Sequence, residues 1–156
     1  MNKLIQECKE YIARRGDSIL KKPLLKRGFA EINISEFELY VLENKDTSFN
    51  ELLFMMIDRT NQKDSDVYKK ARIDRRLFSK IRCSKKYIPS KKTIIALCFA
   101  LELSKDDAII LLSYAGYSLS RSNDYDLAIS FCLSKRIFDL NEINKLLYEL
   151  GFEVFL

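Results

Sequence analysis

The chain has 156 residues, enough for one compact domain with an appendage and a real hydrophobic core. Its 47% hydrophobic and 31% charged residues exclude a disordered class, and four glycines with two prolines argue against a turn-rich β fold. The net charge of +5 is unevenly spread, with nine Lys/Arg against ten Asp/Glu over 1–58, thirteen against three over 59–92, and five against nine over 93–156.

The predicted elements begin with Leu4, Ile5, Cys8, Tyr11 and Ile12, whose spacing implies a helix over 3–15. "KKPLLKRG" (21–28) reads as a basic connector. In "EINISEFELYVL" (31–42) apolar residues alternate, which predicts a strand or extended arm that pairs with its copy in another subunit, with a short helix as the alternative. Residues 1–46 are thus expected as an N-terminal extension, and 47–156 as the main domain, almost wholly helical.

"SFNELLFMMIDRT" (48–60) has Ser48 and Glu51 at capping-box spacing, followed by Phe49, Leu52, Leu53, Met56 and Ile57 on one helical stripe. After the turn "NQK", Asp64 is expected to cap "SDVYKKA", and Asp74 to cap "RRLFSKIRC", giving two short helices in close succession. A basic loop, "SKKYIP", leads to Ser90 as cap of "KKTIIALCFALEL". Ser104 and Asp107 open "KDDAIILLSYA", with Ala108, Leu111, Leu112 and Ala115 inward and Gly116 as the stop. Beyond "SLSRSND" two more helices are predicted, over about 124–134 and 141–150. In the last, Asp139 and Glu142 have box spacing and Gly151 terminates. Leu127, Phe131, Ile143, Leu146, Leu147 and Leu150 are too apolar to stay solvated, so these two helices should pack on the preceding ones or build a dimer contact.

Several classes of chemistry have no residues to carry them. The absence of histidine removes the commonest general base and zinc ligand, and no two of Cys8, Cys83, Cys98 and Cys132 have ligand spacing. Gly16, Gly28, Gly116 and Gly151 are isolated, so no phosphate-cradling glycine loop exists. Neither an enzyme nor a metal or cofactor site is expected. The first twenty residues lack a signal-peptide core, and the run 94–101 is too short to span a bilayer. With no disulfide framework, a cytoplasmic, intracellular protein that touches no membrane is expected.

Residues 48–115 therefore read as five short capped helices, and at this point they resemble the Cro/repressor-like helix-turn-helix family of the XRE type. "DSDVYKKARIDRRLFSKIR" (64–82) is similar to the family's two-helix core, with Val67 and Ala71 facing inward, Ile73 in the turn, and Phe78 and Ile81 at buried positions of the recognition helix. "YIPSKKTIIALCFALEL" (87–103) resembles its proline-containing loop and fourth helix, and carried on through "AGYSLSRSNDYDLAISFCL" (115–133) and the final helix the resemblance is to a longer bacterial variant, a C-terminal module often joined to unrelated upstream domains, some linked to phage defence. The fold implied is all-α: a five-helix repressor-like bundle extended by C-terminal helices, with a short N-terminal helix and arm. Two positions depart from the pattern. Asp64 stands where family members commonly have glutamine, and no glycine follows the recognition helix.

The resemblance implies a regulator of transcription that binds double-stranded DNA as a homodimer on paired half-sites. The helix Asp74–Cys83 would enter the major groove, with Arg75, Arg76, Ser79 and Lys80 at base edges and Ser65, Lys85, Lys86, Lys91 and Lys92 at phosphates. The basic window 59–92 coincides with this motif. The alternative is an adaptor or sensor of a phage-defence or toxin–antitoxin system, working through a protein partner or through nucleic acid without sequence choice.

Overall fold

Eight α-helices and no strand make up the described part of the computed structural model, which covers residues 1–16, Glu43 and 47–156. The alternating stretch 31–42 and the connector 21–28 lie outside the described residues. The helices are α1 (Asn2–Ala13), α2 (Phe49–Thr60), α3 (Asp64–Lys70), α4 (Arg75–Cys83), α5 (Lys91–Ala100), α6 (Lys105–Tyr114), α7 (Asp124–Ser134) and α8 (Leu140–Glu149). None is long and apolar enough to cross a membrane.

Short polar side chains start most of them, because the first turn of a helix leaves backbone N–H groups without intrahelical acceptors. Ser48 and Glu51 form the full reciprocal box at α2. Asp74, Ser90, Ser104 and Asn123 accept from backbone amides at α4, α5, α6 and α7. Two starts differ from expectation. Lys63, not Asp64, is the N-cap of α3, and Asp64 lies inside the first turn with its carboxylate turned to another helix. At α8 Asp139 accepts from Asn141 rather than from Glu142, so no box forms there.

Five of the helix ends share one device. Arg72, Glu102, Arg136, Gly116 and Gly151 take left-handed backbone angles just past α3, α5, α7, α6 and α8. In each case the next residue's amide donates back into the last turn, as from Ile73 to the Tyr68 carbonyl and from Leu103 to that of Cys98. That next residue is apolar or aromatic every time and folds onto the core (Ile73, Leu103, Ile137, Tyr117 and Phe152). Burial of the following side chain thus stops the helix even where the left-handed residue is not glycine.

At the centre lies α5. All seven residues Ile94–Ala100 are buried, as expected of a helix wrapped on every side rather than along one stripe. It packs on α3 and α6, α2 packs on α4 and α6, and α3 packs on α4. The two C-terminal helices complete the core from the other side, where α7 lies on α6 and α1, and α8 on α1. Cys8 and Tyr11 of α1 therefore share one hydrophobic core with α2–α8. Tyr11 meets the Phe131 ring edge-on at 5.6 Å.

Candidate nucleic-acid interface

α4 has two faces by virtue of its sequence. Phe78 and Ile81, three apart, are buried, and Leu77 is half-buried beside them. Phe78 is gripped by aromatic rings from two neighbours, Phe54 of α2 at 5.9 Å and Tyr68 of α3 at 5.5 Å. Asn50 of α2 is itself buried and donates its amide to the Ile81 carbonyl, which satisfies an end of α4 that would otherwise lack a partner. The helix is thus anchored from within by α2 and α3.

The opposite face carries Arg75, Arg76, Ser79 and Lys80, all exposed, on two successive turns. Arg76 also donates its backbone amide to the Asp74 carboxylate at 2.6 Å, which fixes the start of the helix. Lys80 holds its ammonium 4.2 Å from the centre of the Tyr87 ring, a contact that orients the cation without neutralising it. The loop after α4 adds Lys85 and Lys86, both exposed. Lys85 approaches Glu51 at 3.7 Å, a loose pair between solvated groups. Among the described residues no carboxylate pairs with Arg75, Arg76, Lys80 or Lys86.

The remaining expected phosphate contacts are arranged differently. Ser65 sits half-buried in the first turn of α3. Lys91 places its ammonium 2.8 Å from both oxygens of Asp126, a buried carboxylate of α7 that also accepts from the Ser120 amide at 2.8 Å. Lys92 meets Glu153 of the C-terminal tail at 2.7 Å. The lysines that open α5 are therefore turned toward the C-terminal helices, while Arg75, Arg76, Lys80 and Lys86 are exposed. The physical reason for the first pair is burial. Asp126 is only 2% exposed, and a carboxylate taken out of water needs a cation and hydrogen bonds together.

Reading the sequence alone misses Arg82. Its guanidinium pairs with both Asp64 oxygens, at 2.7 and 2.6 Å, and its central carbon lies 4.1 Å from the centre of the Phe54 ring. Eighteen residues separate the partners, so no local spacing signals the contact. Asp126 and Glu153 are missed for the same reason.

A cleft of about 380 Å³ between the ends of α3 and α8 is lined by Lys69, Lys70 and Arg72 but also by Glu102 and Asp139, and this mixed charge selects no one ligand. No group of three metal-ligating side chains comes together among the described residues. No family model, curated protein or solved structure matches this chain.

Proposed function

We propose that this protein is a sequence-specific DNA-binding regulator of the XRE type, with α3 and α4 as its helix-turn-helix and α4 as the reading helix. One observation carries the reading. Arg75, Arg76, Ser79 and Lys80 share an exposed face of a helix anchored from behind, and no carboxylate among the described residues neutralises its cations. A helix fits the major groove, where arginine pairs bidentately with guanine and serine or lysine adds further bonds. Lys85, Lys86 and Ser65 then grip phosphates on either side. Lys91 belongs to the internal pair with Asp126 and takes no part in the grip, and Lys92 joins it only by leaving Glu153. A homodimer on paired half-sites follows from this mode of binding, and neither a cofactor nor catalysis is part of it.

Selection from random duplexes followed by titration at several salt concentrations tests the proposal. Arg75→Ala or Arg76→Ala should cost about 1–3 kcal/mol on the selected site and relax preference at one or two base pairs. Lys86→Ala should weaken binding to all sequences alike and reduce the logarithmic salt slope by roughly one. Wild-type protein without steep salt dependence overturns DNA binding altogether. The positive face would then serve a protein partner, as in an adaptor of a defence system.

A further inference from the structure

A reading helix discriminates between sequences only if its tilt and register in the groove are held. A displacement of an ångström moves a bidentate arginine off its base while leaving long lysines in reach of phosphates. The rear of α4 is held by Phe78 and Ile81, but both lie on one side, and a helix of nine residues can still roll about such an anchor. Beyond the Asn50 bond to the Ile81 carbonyl, a further point of attachment comes from Arg82 in its last turn.

The Arg82 guanidinium is committed on two sides. Asp64, in the first turn of α3, takes the Nη2 group with both carboxylate oxygens, at 2.7 and 2.6 Å. Phe54 of α2 lies against the planar group at 4.1 Å, and the same ring meets Phe78 edge-on at 5.9 Å. One planar side chain thus ties the C-terminal end of α4 to the N-terminal end of α3 and to the middle of α2. The carboxylate is also favourably placed at α3, since negative charge in a first helical turn meets the exposed N–H groups there. Planarity matters for the ring contact, because an ammonium has no flat face to lay against Phe54, although it can meet two carboxylate oxygens as Lys91 does.

We propose that Arg82 is a positioning residue for sequence discrimination, locked between Asp64 and Phe54, and that it does not grip phosphate. This rests on the DNA reading above. It also accounts for Asp64, an acidic side chain at the edge of a basic surface, as the group that holds Arg82 away from the nucleic acid.

The test uses the full chain, the selected duplex and an unrelated duplex of equal length, each titrated over several salt concentrations. Arg82→Lys keeps the charge and loses the planar group that lies against Phe54. It should leave the salt slope unchanged and lower the ratio of selected to unrelated affinity about tenfold. Asp64→Asn should release the guanidinium, tighten binding to the unrelated duplex, and lower the ratio too. A merely destabilising effect would weaken both duplexes together without changing their ratio, and that outcome overturns the proposal. So does Arg82→Ala reducing the slope by roughly one with the ratio intact, the mark of a phosphate contact. If wild-type protein shows no salt-dependent DNA binding, the functional reading fails by itself. Amide exchange over residues 75–83 then judges the clamp, and unchanged protection in Arg82→Lys overturns it.

Discussion

The cysteines show how far a single side chain's behaviour depends on where the chain buries it. Cys8, Cys98 and Cys132 are buried free thiols, whereas Cys83 at the end of α4 is exposed. Burial pushes the Cys98 thiol from its ordinary 9.0 up to about 12 and does the same to Cys8. Tyr125 rises from 10.0 to about 12, first through burial and then through the carboxylates of Glu153 and Asp126. A thiol-specific reagent near neutral pH should therefore label Cys83 alone in the native protein and the other three only after unfolding. Early labelling of Cys98 would contradict the packing of α5. The same shifts set a pH dependence. The folded chain keeps protons that the unfolded chain releases above 9.0, so stability is full below that pH and declines as pH rises toward about 12. Denaturant midpoints measured across that window should fall, and a flat profile counts against buried neutral thiols.

Among the elements, the opening of α5 contrasts two ion pairs on consecutive residues. Lys91 compensates a buried carboxylate, while Lys92 meets Glu153, which is 79% exposed. Replacing Lys91 with alanine leaves Asp126 charged in a dry setting and should cost about 3 kcal/mol in chemical denaturation. Lys92→Ala should stay within about 1 kcal/mol, as solvated pairs do. Equal costs would mean that Asp126 is not desolvated as its surroundings imply. Local sequence assigns both lysines one role because they adjoin a basic loop. Their partners lie 35 and 61 positions away, and only packing brings α7 and the tail to them. By contrast, the Ser48 box and the caps at Asp74, Ser90 and Ser104 are legible locally, since a cap and the amide it serves are two or three residues apart.

For the whole molecule the question is how the two C-terminal helices relate to the rest. They join the core by covering α6 and α1. The chain then returns along residues 152–156, with Phe155 buried against the Phe99 ring at 6.1 Å and its backbone bonded in both directions to the Asn144 side chain. Arg72, in the turn before α4, donates to the Phe155 carbonyl at 3.2 Å. Cutting the chain after Ser118 removes this return and uncovers α6 and α1. The truncated protein should aggregate or unfold at lower denaturant than the full chain, read by light scattering and circular dichroism. A monodisperse fragment of unchanged stability would show that 1–118 fold without help from α7, α8 and the tail.

The sequence by itself determined the helices. Periodic apolar stripes and short polar caps act within four residues of one another, so Asp124–Ser134, Leu140–Glu149 and the five helices between Phe49 and Tyr114 could be placed from local spacing. It determined also that one window of 34 residues would be strongly basic, because charge is a property of composition. Which of those cations stay in water was decided by the tertiary structure alone. Asp64, Asp126 and Glu153 reach Arg82, Lys91 and Lys92 only after the helices pack, and the helix stops at Arg72, Glu102 and Arg136 likewise need a core to receive Ile73, Leu103 and Ile137. Such contacts join residues distant in the chain, and no local pattern encodes an interaction whose two halves meet only when the core forms.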